Sequence, residues 1–371
     1  MNLTQQERFH YLDSLRGLAA LAVFFSHLIG AFGLPSKLMF LQNSPVHIFW
    51  HGEGAVFFFF LLSGFVLTKQ LDNSKDIFNI KKLLEYALLR INRIYPSFAI
   101  MVIVSYFMRK HIEYDYSLIS FSTDWIIGIS KTTLYFSTLI KELGVVFNID
   151  SATRIIPIGW TLTSEIIISI CMPILFLVCK KNWLVGLIFF YYATKFLGIN
   201  SFVIIFIIGV VIYLERNEII NGIKSLHKFL KIFILFFGIV LFTFPFYIHI
   251  PWVNKIASVL FIHSILPGCV VLFVLVLSST TIQNILKNNW LQFLGKISYS
   301  LYLTHFTFLL LVSYPVIIYV NKIVGTNLLF VRLITYITLT IGMLCIASVF
   351  YYLFEHPLHV KGKKLIKDYF L

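Results

Sequence analysis

Apolar residues come in long unbroken runs along this chain, not in the alternation of a half-buried strand or the single stripe of a soluble helix. Ten runs stand out, at about 17–33, 54–71, 94–108, 157–179, 183–198, 200–214, 230–250, 256–279, 297–320 and 327–354. Such runs predict helices that are apolar around most of their circumference, as a lipid-facing or wholly buried helix must be. Several fall short of the roughly 20 residues expected of a bilayer crossing, so those helices are expected to extend into the polar residues beside them. The longest connection, 109–156, is rich in aromatic residues, Ser and Thr. It suits either an interfacial belt of Trp and Tyr or a lip that recognises a polar substrate.

Composition decides which solvent the runs face. Of 371 residues, 59% are hydrophobic and 12% charged, with 39 Phe and a mean hydropathy of +0.88. A soluble domain averages about 45–50% apolar and about 25% charged, so no soluble core could hide this much apolar surface. The expected fold is all-α and polytopic: one membrane domain over 1–371, with about ten transmembrane helices around a polar cavity and no fused extracytoplasmic domain. Cys171, Cys179, Cys269 and Cys345 lie singly in apolar runs, which argues against a disulfide framework or a structural zinc site. No metal site is expected.

The net charge of +14 invites a nucleic-acid reading, but its placement argues for topology instead. With ten crossings, about 20 Lys and Arg fall on the side of the N-terminus and about 10 on the other, the bias of cytoplasmic segments. The loop 69–93 and the tail residues Lys361, Lys363, Lys364 and Lys367 supply half of the larger set. Both termini are therefore expected in the cytoplasm. The N-terminus has no convincing small-residue cleavage site, so the first span is expected to be retained.

Within this apolar background a few polar residues are expensive and call for a purpose. "LDSLRGLAALAVFFSHL" carries Arg16 at the start of the first span and His27 deep inside it. Eleven residues make about three helical turns, so the two side chains share a face roughly 16 Å apart. A neutral imidazole at that depth can act as a base or nucleophile, whereas its bland alternative is a helix-packing histidine with a satisfied N–H. Glu165 in "PIGWTLTSEI" and His305 in "LGKISYSLYLTHF" reach a similar depth, which suggests one shared cavity in which Glu165 could orient a histidine. Arg90 and Arg93 in "LLRINRIYP" are spaced to point one way from the start of the third span. They could clamp a phosphorylated ligand, or could simply snorkel. Ser63-Gly64 is a small pair that would let two helices approach. Glu355 and Pro357 in "LFEHPLHV" would end the last span beside a charge partner.

Taken together, and in this order from about Tyr11 to Leu358, these blocks resemble the acyltransferase 3 family of integral membrane acyltransferases. "LDSLRGLAALAVFFSH" is similar to its Leu-Asp-x-x-Arg-Gly opening and Arg-x10-His pair, "RINR" to its Arg-x-x-Arg pair. "FFFLLSGF", "WTLTSE", "LGKISYSLYLTH" and "FEHP" are similar to its remaining blocks. Two positions depart. Phe57 stands where many members carry an acid, unless nearby Glu53 substitutes, and Thr161 replaces the commoner Ser after Trp160.

The resemblance implies transfer of an acyl group, usually acetyl, from cytoplasmic acyl-CoA to a hydroxyl of an extracytoplasmic or lipid-linked glycan. O-antigen and exopolysaccharide O-acetylation are the family's examples, in a bacterial-type inner (cytoplasmic) membrane. Acetyl-CoA would be a donor substrate and not a tightly bound cofactor. It would be held by Arg16, Arg90 and Arg93, with His27, Glu165 and His305 as catalytic residues. The imidazole of His27 would either activate the acceptor hydroxyl directly, or His27 or His305 would first take the acyl group and relay it. Because the chain stops 16 residues past Glu355, it is expected either to acylate the acceptor itself or to use a separate extracytoplasmic transferase partner. The rival class is a proton-coupled transporter or glycan flippase. A flippase would also bury His, Glu and Arg, but many transporters show inverted repeats or paired broken helices that are absent from this sequence.

Overall fold

A computed structural model describes residues 9–74, 79–147, 153–196, 201–244, 253–325 and 327–370. Lys75 of the expected basic loop, 148–152 of the long connection and the ends of the expected 183–198 and 230–250 runs lie outside the described residues.

The described residues form helices and turns, with no strand among them. The first three helices are α1 (His10–Phe32), α2 (Gly52–Asp72) and α3 (Ile80–His111). The long connection holds two short helices, α4 (Asp124–Ser130) and α5 (Phe136–Gly144). Then come α6 (Gly159–Lys181), α7 (Trp183–Phe196), α8 (Phe202–Leu214), α9 (Arg216–Ser225) and α10 (Lys228–Thr243). The last six are α11 (Val253–Ser278), α12 (Thr280–Leu286), α13 (Asn289–Lys296), α14 (Ser298–Val324), α15 (Leu328–Phe350) and α16 (His356–Phe370).

Within the described residues each apolar run lies on a helix, and the chain is a multi-pass membrane protein. Among the described residues six helices are long and apolar enough to cross a membrane, or eight if the bent pairs α9–α10 and α11–α12 each count as one span. Ten was expected from the runs alone. The difference lies in α7 and α8, of 14 and 13 residues, which at about 1.5 Å per residue reach only about 20 Å of a roughly 30 Å apolar layer.

Local chemistry sets several helix starts. Asn79, Ser279, Asn288 and Asn327 each accept a backbone N–H of the first turn of α3, α12, α13 and α15. The His51 ring accepts the Gly54 N–H at 2.7 Å where α2 begins. α1 stops at Gly33, whose φ of +66° suits glycine.

α1, α2 and α14 form the centre, with α14 buried along most of its length. The Ser63-Gly64 pair divides its work. A Cβ on Gly64 would sit 2.2 Å from the Phe206 carbonyl oxygen, and one on Gly209 2.4 Å from that of Leu61, so the glycines let α2 and α8 touch backbone to backbone. Ser63 turns the other way, toward α6.

The last span does not stop at Glu355-His-Pro. The N–H of His356 bonds the Tyr351 carbonyl, five residues back, and this wider turn lets the helix run on through α16. It also points the Glu355 carboxylate inward, where that residue is 1% exposed.

Candidate functional site

A cavity of about 330 Å³ lies between α1, α2, α3, α6, α14 and α16. Arg16, Arg90, Arg93 and Glu165 line it together, so four of the six residues singled out in the sequence share one space. Its wall is aromatic between the charges, with Phe59, Phe60, Tyr299 and Tyr302. The bundle end that carries the three arginines is called the basic face below.

Two of the arginines are committed to carboxylates. Arg16 Nη1 donates to Asp13 at 3.0 Å, one turn back on α1. Arg93 Nη1 donates to Glu355 at 2.9 Å, and Ser300 Oγ donates to the other oxygen of that carboxylate at 2.5 Å. Arg90 has no ion-pair partner among the described residues, and its buried Nε has no hydrogen-bond partner.

Glu165 accepts a hydrogen bond from Ser63 Oγ at 3.4 Å. Among the described residues no histidine hydrogen-bonds its carboxylate, so the expected carboxylate–histidine pairing is not formed there. Across the cavity the Thr161 hydroxyl donates to the Ile158 carbonyl at 2.8 Å, so the Tyr302 hydroxyl, 2.6 Å away, is the donor to Thr161 Oγ1. The Thr at this position keeps the hydroxyl that the commoner Ser would supply.

His27 and His305 lie behind Tyr302, their ring centroids 5.0 Å apart. His305 is fully buried on α14 one turn from Tyr302, with the two rings 5.8 Å apart. Each Nδ1 faces a backbone carbonyl: His27 that of Val23 at 3.0 Å, His305 that of Tyr302 at 2.6 Å. A carbonyl can only accept, so each Nδ1 carries the hydrogen and each Nε2 of the neutral rings presents a lone pair. His305 Nε2 is buried with no hydrogen-bond partner among the described residues. Two imidazole rings thus sit side by side behind a cavity walled by tyrosines, that of His305 fully buried and that of His27 partly so.

Trp125 of α4 closes this pair from the opposite face, with its ring 5.6 Å from His27 and 6.0 Å from Phe306. Part of the long connection is therefore a cover over the histidine, a role that only its aromatic composition hinted at. Tyr299 and Tyr302 were legible as spacing: 299, 302 and 305 recur at three-residue steps on one face of α14. His359 and Lys363, which also line the cavity, carried no local signal beyond the basic tail.

Glu53 does not substitute for an acid at position 57. It is exposed at the start of α2 and borders a separate pocket of about 420 Å³ on the opposite face, with His47 and His51, while Phe57 is buried against Phe202.

The acyltransferase 3 family model, described as an acyltransferase domain, matches residues 9–352. No curated protein and no solved structure matches the chain.

Proposed function

The chain belongs to this acyltransferase family, and from that premise we propose that it moves an acetyl group from cytoplasmic acetyl-CoA to a hydroxyl of a glycan across the membrane. The supporting observation is the order of the groups: arginines at the basic face, a tyrosine-walled cavity, and behind its Tyr302 wall the His27–His305 pair under Trp125. Coenzyme A is polyanionic at its nucleotide end and apolar along its pantetheine arm. That order matches cations at the mouth and aromatic rings further in. A cavity of this size lies at the low end of the range for small-molecule sites and suits the arm and thioester, with the nucleotide at the mouth.

The chemistry follows from the tautomers. The thioester carbonyl carbon comes within reach of Tyr302, and an acceptor hydroxyl enters beneath Trp125. His27 Nε2 takes the hydroxyl proton as the oxygen bonds to the carbonyl carbon; the carbon–sulfur bond then breaks, and the thiolate of coenzyme A recovers the proton from the imidazolium. His305, with its own unshared Nε2 lone pair, holds the developing positive charge beside it. Glu165 adds a negative charge near the same tyrosine. A prior acyl transfer to an imidazole nitrogen is not needed for this balance.

The basic face lies in the cytoplasm in this reading, with both termini, and α7 and α8 complete ten crossings of an inner membrane. A lipid-linked oligosaccharide or surface polysaccharide, such as O-antigen, would be the acceptor, taken directly or through a separate extracytoplasmic transferase. Acetyl-CoA binding to the purified protein, followed by mass spectrometry of surface glycans from cells with and without the gene, tests the function. A proton-coupled transporter or flippase would need no acetyl-CoA and would leave glycan acetylation unchanged.

A further inference from the structure

The sequence presents "HPLHVKGKKLIKDYF" as a basic tail, yet it is a full helix lying on the site. Along α16 and the turn before it, Glu355, His359 and Lys363 recur every four residues and so share a face. Glu355 reaches Arg93, and His359 and Lys363 line the cavity. The helix is held there by α3. Asn92 Nδ2 donates to the His359 carbonyl at 3.1 Å, and the Asn92 amide occupies the space a Cβ on Gly362 would need, so the glycine leaves room for this contact. Asn92 lies between Arg90 and Arg93, and the same contact therefore sets α16 against both arginines.

The charge inventory of this mouth does not close. Arg16 and Arg93 have carboxylate partners, but Arg90, His359 and Lys363 have none among the described residues. Among the described residues Arg90 Nε and His359 Nδ1 are also buried without a hydrogen-bond partner. Two cations without a carboxylate, Arg90 and Lys363, beside a His359 ring that burial and these cations keep neutral (its pKa lowered to about 4) and whose Nδ1 is open, call for a ligand carrying several anionic oxygens.

We propose that α16 is a wall of the donor site, where Lys363 and His359 join Arg90 in binding the phosphate groups of the nucleotide end of coenzyme A. This rests on the donor reading above. It gives the C-terminal helix a ligand-binding role in place of a purely topological one. It also assigns the phosphates to the unpaired Arg90 and leaves Arg93 to hold Glu355, and with it the start of α16.

The test measures binding of two probes to the full-length protein in lipid nanodiscs: coenzyme A, and S-acetylpantetheine, which has the thioester arm but no phosphates. Lys363→Ala is expected to weaken coenzyme A binding about tenfold, as loss of one charge-assisted contact should, and to leave S-acetylpantetheine binding unchanged. Lys364→Ala removes the same charge from a neighbouring position that does not line the cavity, and should change coenzyme A affinity less than about twofold. His359→Gln should behave like a weaker Lys363→Ala. Equal losses for Lys363→Ala and Lys364→Ala would reduce the effect to bulk charge and overturn the proposal, as would an unchanged Lys363→Ala. A wild-type protein that binds neither probe overturns the donor reading itself. A wild-type protein that binds both while Lys363→Ala is silent overturns only the role of α16.

Discussion

On the face opposite the cavity, Glu142 accepts the backbone N–H groups of Arg154, Ile155 and Ile156 at 2.9, 2.8 and 2.5 Å. Beside it Arg109 donates to the carbonyls of Arg154, Ile155 and Ile129 at 2.8, 2.9 and 3.2 Å. At the cavity and the histidine pair behind it, Arg90 Nε, His359 Nδ1 and His305 Nε2 are buried with no partner among the described residues. Both regions bury ionisable groups, but the first answers each from its own backbone while the second leaves some open. A satisfied knot produces a rigid backbone, here the segment leading into α6 and hence the setting of Glu165. An unsatisfied one is costly until something binds, which is what a ligand site requires.

The largest effect expected of this contrast is at His27. His27→Asn keeps a polar side chain of similar reach but no basic nitrogen, so acyl transfer should fall by about 10²–10⁴, with insertion and coenzyme A binding retained. His305→Asn should be impaired with residual turnover. Near-normal turnover by His27→Asn beside a dead His305→Asn would move the reacting centre onto α14.

In the satisfied region the sign reverses, from function to stability. Glu142→Gln removes the charge and one acceptor facing three amides, and should lower stability by about 2 kcal/mol. A denaturation midpoint measured in detergent reads this directly. Coenzyme A affinity of the folded protein should not change, and a fall in affinity without a fall in midpoint would erase the distinction between the two regions.

Arg90→Ala is the converse. Coenzyme A binding should weaken about tenfold, a loss of about 1.4 kcal/mol, while the midpoint moves by no more than about 0.5 kcal/mol. Arg93→Ala, in contrast, strands Glu355 in the interior and should lower both.

The smallest effect is with pH, at the second pocket. Burial lowers His47 to about 4 and His51 to about 3, so both are neutral in the folded protein near pH 7. The unfolded chain takes up their protons near 6.5, and the stability present above that pH is lost as the pH falls toward the folded values. At pH 6 each histidine should cost about 1 kcal/mol relative to pH 7.5. Hydrogen exchange over 45–54 should quicken accordingly, and a His47→Gln variant should lose part of that dependence.

The amino-acid sequence by itself determined the solvent and the elements, because apolar runs of this length and so few charges leave only lipid-embedded helices. It also marked His27, Glu165 and His305, since an ionisable group inside an apolar run is expensive enough to show without any partner in view, and Arg16, Arg90 and Arg93 by their places at the starts of two runs. Only the tertiary structure decided which of those charges meet. Arg93 finds Glu355 from 262 positions away, His27 finds His305 across two helices, and Glu165 takes Ser63 instead of a histidine. Only the tertiary structure, too, turned the basic tail into a wall of the cavity and brought Trp125 over His27. Periodicity reports which side of one helix is polar, but in lipid any apolar face satisfies another about equally well. The pairing of helices is left to close-fitting small residues such as Gly64, Gly209 and Gly362, and to polar contacts whose partners lie far apart in the chain.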